Sequence, residues 1–278
     1  MNPFVSESLM LRNEEMMTIA MEFEETGNTA DMHISPDYPN TVQKAPCLYA
    51  IREMIYMDMI HRIPCNVETR TCVFHAHLLV DHLLSVVRID PRYAVFIYRI
   101  ALYLSSSIYV GSSTLASTPL ASVCDYKVLQ SLCVKNGRTK EWLDYCILYV
   151  LLNSPSSLAV ENPYILCHRY LSSVHFDSFL PFAYSVIDVV CSKCSSCALS
   201  SRAIAVLSVT VLMRKYYGKQ PIEPSVQSIS DHEFYLCLTI ISSSFPELRD
   251  TCVWVMATEK QKSGCYSPKH ASEPCEEL

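Results

Sequence analysis

Three cysteines in the stretch "CSKCSSC" have the spacing of zinc ligands. Cys191, Cys194 and Cys197 are three residues apart, and a tight turn can direct thiolates at that spacing toward a tetrahedral ion. A structural zinc site needs four ligands, and no second cysteine pair lies at a matching distance. Cys167 or Cys237 could complete the set only if the fold brought them close. The pattern favours a loop between helices, and we expect no metal and no other cofactor.

The histidines and serines show no motif of catalysis. His75 and His77 are two positions apart and would point to nearly opposite faces of a helix, so they do not form a simple ligand pair. No nucleophile elbow or comparable motif is present in the sequence. We expect a protein that is not an enzyme. The alternative is a catalytic site assembled from distant residues, which would leave no local motif.

Four serine or threonine residues directly precede proline, in the dipeptide that proline-directed kinases recognise. Ser267, which is followed by Lys269 and His270, is the stronger candidate for phosphorylation, and Ser35 is the second. A phosphate there would add negative charge that an arginine cluster can bind. The chain has 15 prolines, so a serine followed by proline in a loop by chance is the alternative.

The composition argues against several classes of protein. Half of the 278 residues are hydrophobic and 18% are charged, which suffices for the core of one large domain or two small ones. A net charge of −6 offers no basic surface for phosphate backbones, so we expect no direct nucleic-acid binding. The apolar stretches fall short of the roughly 20 residues that span a bilayer. We therefore expect no membrane partner; an integral membrane protein is the alternative.

The spacing of apolar residues predicts an all-α fold. Only 5 glycines are available for the tight turns of a sheet protein. Residues 1–46 form a polar extension that we expect to be partly disordered. Five helices then follow: 47–62, 71–87, one from about residue 92, 120–133 and 139–152. The third is apolar on every side, and in a soluble protein such a helix packs at the centre of the others.

The same pattern repeats in the second half of the chain. Five further helices are predicted, again with the most hydrophobic third: 162–174, 177–190, a helix from Ser200 or Ser201 to 217, 230–244 and 246–258. The sequence thus indicates two five-helix units, 47–155 and 156–258, followed by a disordered tail over 259–278.

Several segments resemble the paired cyclin boxes of the cyclin family. "IREMIYMDMIHR" is similar to the signature helix of the first box, with Asp58 in place of its usual tryptophan. Arg52 and the pair Asp81-His82 have the separation of that box's arginine and its Asp-Arg pair. "ENPYILCHRYL" resembles the entry to the second box, and "RAIAVLSVTVLMRKYYG" its third helix. The resemblance covers residues 47–258 and implies tandem cyclin-like bundles, the second of them degenerate.

A physical argument links Arg52 to Asp81 without reference to the family. Each lies in an otherwise apolar predicted helix, and burying one charge alone costs free energy that pairing largely recovers. We therefore expect a structural ion pair between them. The alternative is that both lie on solvated helix edges, because charged residues usually stay exposed.

The resemblance also implies which residues would bind a partner. In cyclins, a lysine at the end of the third helix and a glutamate on the fifth helix form hydrogen bonds with the regulatory helix of the kinase. Here Ser107 occupies the lysine position, and the glutamate position falls on Asp144 or on Glu141. Losing a charge-assisted bond weakens an interface by about 1.5 to 3 kcal/mol. Binding would then depend on apolar contacts such as Ile108 and Ile147, which could equally belong to the core.

The function that the resemblance implies is that of an atypical cyclin, a non-catalytic regulatory subunit of a cyclin-dependent kinase in the nucleus. With its missing lysine and the Ser/Thr-rich segment after the third helix, the sequence resembles meiotic cyclin-like proteins, which mark crossover sites on chromosomes. That similarity adds recombination-associated proteins as expected partners. A transcriptional or other divergent cyclin is one alternative. Another is a pseudo-cyclin scaffold that binds proteins without activating a kinase.

Overall fold

Helices make up the regular structure of the described part of the chain. A computed structural model describes residues 46–63, 65–87, 89, 93–109, 125–154, 161–194, 198–218 and 229–263. The α-helices in these residues are α1 (Pro46–Arg62), α2 (Val67–Val86), α3 (Ala94–Tyr109), α4 (Tyr126–Lys135), α5 (Lys140–Leu152), α6 (Pro163–Ser173), α7 (Leu180–Lys193), α8 (Ser201–Tyr217), α9 (Asp231–Ser244) and α10 (Arg249–Ser263). Short 3₁₀ turns over Asp177–Phe179 and Pro246–Leu248 precede α7 and α10. No strand occurs in these ranges, so the predicted all-α class is confirmed for them.

Side-chain caps begin several helices at the predicted positions. Thr139 begins α5, Asn162 begins α6 just ahead of Pro163, and Ser200 begins α8, each by accepting a hydrogen bond from a backbone N–H of the first turn. Gly218 ends α8 in the left-handed conformation, with φ of 63°, which glycine adopts without steric cost. These boundaries could be predicted because a cap depends on residues within one turn of the helix end.

Two helix starts differ from the sequence-based expectation. α2 begins at Val67, four residues earlier than expected, because the side chain of Asn66 accepts from the amide of Thr69. α4 begins at Tyr126 after its cap, Asp125. The first residues of the fourth predicted helix, 120–124, lie outside the described residues.

The last helix extends further than predicted. α10 continues to Ser263, whereas the sequence predicted that the helix ends at residue 258. Glutamate, lysine and glutamine are good helix formers, and Gly264 is the first residue after Glu259 that disfavours a helix. The rest of the predicted tail lies outside the described residues.

The third helix of each set of five lies among the other four. α3 contacts α1, α2, α4 and α5, and α8 contacts α6, α7, α9 and α10. All residues of α8 from Ala203 to Met213 are buried. A helix that is apolar on every side is stable in water only when its neighbours cover it.

The two sets of helices share one apolar core. α1 packs against α7, and α2 packs against α6, so the first two helices of each set meet across a seam. Buried apolar residues from both sets belong to one continuous cluster. The division into domains at about residue 155 stays a prediction.

Candidate partner-binding surface

Arg52 of α1 is buried at the seam between the two sets. Its guanidinium binds both carboxylate oxygens of Asp81 on α2, through Nε to Oδ1 and through Nη2 to Oδ2 at 2.7 Å. Only 2% of Arg52 and 0% of Asp81 is exposed to solvent. The expected contact between these two side chains is present, and it lies in the interior, not on a solvated helix edge.

The same guanidinium also binds the C-terminal end of α7. Nη1 donates to the carbonyl of Ser192 at 2.8 Å, and Nη2 donates to that of Cys194 at 2.9 Å. The last carbonyls of a helix have no partner within it, and they carry the negative end of the helix dipole. Arg52 therefore satisfies these carbonyls and pairs with Asp81 at once, which joins α1, α2 and α7.

His77 of α2 is uncharged and has both ring nitrogens bonded in the interior. Nε2 lies 3.0 Å from the carbonyl of Cys191, which can only accept, so Nε2 carries the proton and donates it. Nδ1 then accepts from the hydroxyl of Tyr98. Burial, with the nearby charge of Arg52, lowers the pKa of His77 to about 3. His77 thus has a structural role at the seam.

A second buried ion pair, between Arg70 of α2 and Asp188 of α7, was missed from the sequence. Its charged atoms lie 3.1 Å apart. Arg70 also donates to the carbonyl of Ile60 at 2.9 Å, and Asp188 accepts from Tyr164 at 2.6 Å. Burial raises the pKa of Asp188 to about 6, although Arg70 and Tyr164 act in the opposite direction. Asp81 was singled out because it is a lone acid in an apolar predicted helix. Asp188 in the apolar stretch "YSVIDVVC" shows the same signal and could have been found in the same way.

These buried polar side chains form what we call the seam cluster. Its members are Arg52, Tyr56, Arg70, His77, Asp81, Tyr98, Tyr164 and Asp188, and each is at most 6% exposed. The hydroxyls of Tyr56 and Tyr164 lie 2.7 Å apart, which continues the hydrogen bonds from α1 to α6. Buried polar groups are costly when they lose a partner, so the cluster favours a single arrangement of the two sets.

The predicted partner-binding residues Ser107 and Asp144 are linked by a chain of contacts. Ser107, exposed near the end of α3, donates its hydroxyl to the carbonyl of Tyr103 at 2.8 Å. The ring of Tyr103 packs on that of Tyr126, with centroids 5.9 Å apart. Tyr126 in turn donates to the carboxylate of Asp144 on α5, and this bond raises the pKa of Tyr126 to about 12. The hydroxyl of Ser107 and one carboxylate oxygen of Asp144 therefore already have a partner within the protein.

Glu141, the alternative to Asp144, lies in the first turn of α5. Hydrogen bonds from its own backbone amide and from the side chain of Thr139 lower the pKa of its carboxyl. A carboxylate at this place stabilises the helix because it meets the positive end of the helix dipole. Glu141 thus stabilises the first turn of α5, whereas the contacts that start from α3 reach Asp144.

Apolar side chains extend the surface around these residues. Ile108 is 49% exposed at the end of α3, whereas Ile147 is half-buried against the core. α5 also exposes four apolar side chains that were not singled out from the sequence, here called the α5 stripe: Tyr145, Leu148, Leu151 and Leu152. The buried face of α5 holds Leu143, Cys146 and Val150. α5 has more apolar residues than that face can hold, and this excess was the signal available in the sequence.

The cysteine motif does not form a metal site within the described ranges. No three His, Cys, Asp or Glu side chains lie close enough there to hold an ion. Cys191 and Cys194 are buried at the end of α7, and burial raises the pKa of Cys191. Cys197 lies outside the described residues. His75 is buried as well, and burial lowers its pKa to about 4.

Comparisons with known proteins do not assign the chain to a family. No family model, curated protein or solved structure matches it. None of the helices in the described ranges has the length and apolar character needed to cross a membrane. The candidate phosphorylation sites Ser35 and Ser267 lie outside those ranges. Function must therefore be inferred from the seam cluster and from the exposed surface of α3 and α5.

Proposed function

We propose that this chain is a cyclin-like, non-catalytic regulatory subunit that binds a cyclin-dependent kinase. The observation that carries the proposal is the apolar surface made of Ile108 and the α5 stripe, beside Ser107 and Asp144. Large exposed apolar patches on soluble proteins mark interaction sites. The end of α3 and the exposed face of α5 would dock on the mobile regulatory helix of the kinase.

Three features of the fold support a cyclin-like architecture. Five helices are followed by five, and the third of each set contacts the other four. Arg52 and Asp81 join α1 to α2, as the resemblance to the first cyclin box implies. In this proposal, residues 47–155 form the first box and residues 156–258 a second, degenerate box.

The proposed mechanism is a shift in the population of kinase conformations. A partner that binds the active position of the kinase helix more tightly than the inactive one raises the population of the active kinase. The hydroxyl of Ser107 replaces the usual lysine and is already bonded to the carbonyl of Tyr103. Covering one half-exposed leucine contributes about 1 kcal/mol. Two or three residues of the α5 stripe could therefore offset the charge-assisted bond that is missing.

Binding and kinase assays with the purified chain test this proposal. With the right cyclin-dependent kinase we expect a stable complex in size-exclusion chromatography and faster phosphorylation of a peptide substrate. Leu148→Glu should weaken the complex at least about tenfold, because the interface would bury an unpaired carboxylate. Val253→Glu is the control, since Val253 is 58% exposed on α10. Failure to bind any cyclin-dependent kinase would reject the proposal.

A pseudo-cyclin scaffold is the second candidate function. The observation that favours it is that the Ser107 hydroxyl already donates to the carbonyl of Tyr103, and that one carboxylate oxygen of Asp144 already accepts from Tyr126. A scaffold would use the α5 stripe to bind a protein without moving the kinase helix. A stable kinase complex with no stimulation of phosphorylation would support the scaffold against the regulatory subunit.

We extend the proposal to meiotic recombination on the strength of the resemblance. Its support is the serine at the lysine position, Ser107, and the Ser/Thr-rich stretch "SSTLASTP" that follows α3. The partners would then include recombination-associated proteins on chromosomes in the nucleus. A fluorescently tagged chain should form foci at crossover sites in meiotic cells. Exclusion of the tagged chain from the nucleus would contradict this extension.

A further inference from the structure

Arg214, near the end of α8, is held in one position by two contacts. Its guanidinium lies over the ring of Trp254 on α10, with the Cζ atom 3.6 Å from the ring centroid, in a cation–π contact. Its Nη1 donates to the carbonyl of Gly218, the C-cap of α8, at 2.8 Å. A long side chain loses conformational entropy when it binds a ligand. Because Arg214 is already held, a ligand would bind it at a lower entropic cost.

One edge of this guanidinium is open to a ligand. No hydrogen bond within the described ranges uses Nε or Nη2 of Arg214, and none of the ion pairs found there includes this residue. Arg214 is half-buried and the ring of Trp254 is 38% exposed, so the pair lies at the surface. Nε and Nη2 can donate two parallel hydrogen bonds, which match two oxygens of a carboxylate or a phosphate.

The neighbouring charges favour an anion that approaches from the C-terminal part of α10. Lys215, the residue after Arg214, is exposed and adds a second positive charge. The acid Asp250 lies one turn before Trp254 on α10, on the side away from the end of that helix, and the uncharged Thr258 lies one turn after it. A phosphate gains more from two cations than a carboxylate does, because it carries up to two negative charges.

The chain itself has a candidate phosphate acceptor within reach of Arg214. α10 ends at Ser263, nine residues after Trp254, so its end lies about 14 Å from Trp254 along the helix axis. Ser267 follows four residues later and precedes Pro268. Four extended residues span at most about 13 to 14 Å. A segment that turned back along α10 would therefore bring the side chain of Ser267 level with Trp254 and the guanidinium above it.

We propose that phosphorylated Ser267 binds Arg214 of the same chain and holds the segment after α10 against that helix. A proline-directed kinase would transfer the γ-phosphoryl group of ATP to the Ser267 hydroxyl, which releases ADP and a proton. Two phosphate oxygens would then accept from Nε and Nη2 of Arg214. The inference does not depend on the kinase-binding proposal, because any proline-directed kinase can supply the phosphate and the α5 stripe takes no part in the site.

A labelled peptide of residues 261–271, with and without phosphate on Ser267, tests the site on the full unphosphorylated chain in reducing buffer. In anisotropy titrations we expect the phosphopeptide to bind at least about tenfold more tightly than the unphosphorylated peptide. Arg214→Gln should lower the phosphopeptide affinity about tenfold or more. Arg202→Gln, at an exposed arginine near the other end of α8, is the control and should leave it unchanged. Equal affinity for the two peptides, or unchanged affinity in Arg214→Gln, would overturn the proposal.

A conservative variant keeps the test decisive if Arg214→Gln does not fold, which thermal unfolding shows. Arg214→Lys retains the positive charge, but an ammonium cannot donate two parallel hydrogen bonds in a fixed geometry. Its affinity for the phosphopeptide should fall about threefold or more, while its affinity for the unphosphorylated peptide stays the same. Unchanged phosphopeptide affinity in Arg214→Lys would overturn the proposed site.

The chain phosphorylated at Ser267 tests whether the site is filled from within the same molecule. Mass spectrometry confirms the modification after treatment with a proline-directed kinase and ATP. The labelled phosphopeptide should then bind at least about tenfold more weakly, because a tethered phosphate has a high effective concentration at Arg214. Ser267→Ala treated in the same way is the control and should keep the affinity of the untreated chain. Equal affinity before and after phosphorylation of Ser267 would overturn the intramolecular contact.

Discussion

The seam cluster and the α5 stripe depart from the usual burial of side chains in opposite ways: the seam cluster buries charged residues, and the α5 stripe exposes apolar ones. The seam buries Arg52 with Asp81 and Arg70 with Asp188, whereas α5 leaves Leu152 75% exposed to solvent. Charged residues normally stay outside and leucine is normally buried. The difference separates two tasks within one molecule. Buried polar groups define how the two sets of helices meet, and exposed apolar groups are available to a partner.

The two regions should also differ in what they contribute to stability. A buried ion pair is often no more stable than a well-packed apolar pair, but removing one partner leaves a buried charge uncompensated. An exposed leucine already has most of its surface in water, so shortening it changes the folded state little. Substitutions at the seam should therefore affect folding, and those on the α5 stripe should affect binding.

The largest effect is expected for Arg52→Met. The change leaves Asp81 buried without its cation and removes the donors from the carbonyls at the end of α7. The free energy of unfolding should fall by about 3 to 5 kcal/mol in urea titrations. Arg169→Met, at an exposed residue of α6, is the control and should stay within about 0.5 kcal/mol of the original chain.

The double variant Arg52→Met with Asp81→Leu sharpens this prediction. Removing both charges should recover part of the lost free energy, because no buried carboxylate remains. Recovery should be incomplete, because the carbonyls of Ser192 and Cys194 still lack their donor. A loss of less than about 1 kcal/mol in Arg52→Met alone would show that the pair does not fix the seam.

A matched pair of leucines on α5 tests the second region directly. Leu143 is 0% exposed and Leu152 is 75% exposed. Leu143→Ala should lower the free energy of unfolding by about 2 to 5 kcal/mol, because it leaves a cavity in the core. Leu152→Ala should change it by less than about 0.5 kcal/mol. Similar losses in both variants would mean that the exposed face of α5 contributes to the folded state and is not free for a partner.

Acid should destabilise the folded chain through its buried histidines. The pKa values of His77 and His75 are lowered from 6.5 to about 3 and about 4. Their contribution is therefore complete above pH 6.5 and declines as the pH falls below that value. Asp188 acts oppositely, since its pKa is raised from 3.8 to about 6 and its protonation favours the folded state below that pH.

Near pH 5, unfolding lets His75 and His77 each take up a proton, while Asp188 releases one. The net uptake on unfolding is therefore about one proton. The free energy of unfolding should therefore decrease by about 1.4 kcal/mol for each pH unit that the pH is lowered near pH 5. Urea midpoints measured between pH 7 and pH 4.5 give this slope. Stability that is constant or rises on acidification would show that His75 and His77 are not buried in their neutral form.

The smallest effect is expected at Tyr126. Its hydrogen bond to Asp144 raises its pKa to about 12. Asp144→Asn removes the negative charge that disfavours the phenolate, so the pKa of Tyr126 should fall toward its ordinary value of about 10. A pH titration followed by tyrosine ultraviolet absorbance measures the change. No shift in the variant would mean that the contacts linking the end of α3 to α5 are not formed in solution.

Much of the helical framework was determined by the sequence itself. Thr139, Asn162, Ser200 and Gly218 lie at helix ends because a cap needs only partners within the adjacent turn. The all-round apolar character of α3 and α8 likewise predicted that each packs among four neighbours. The expected contact of Arg52 followed from the cost of burying a lone charge, which holds in any fold that buries α1 and α2.

Only the tertiary structure decided which distant residues the buried charged side chains contact. The sequence could not show that Arg52 also binds the carbonyls at the end of α7, which are 140 and 142 residues away along the chain. The same is true of the pairing of Arg70 with Asp188 and of the exposure of the α5 stripe. Apolar spacing shows that a face is apolar, but the number of neighbouring helices decides whether it is covered. Distant contacts depend on how the two sets pack, and no local pattern encodes that arrangement.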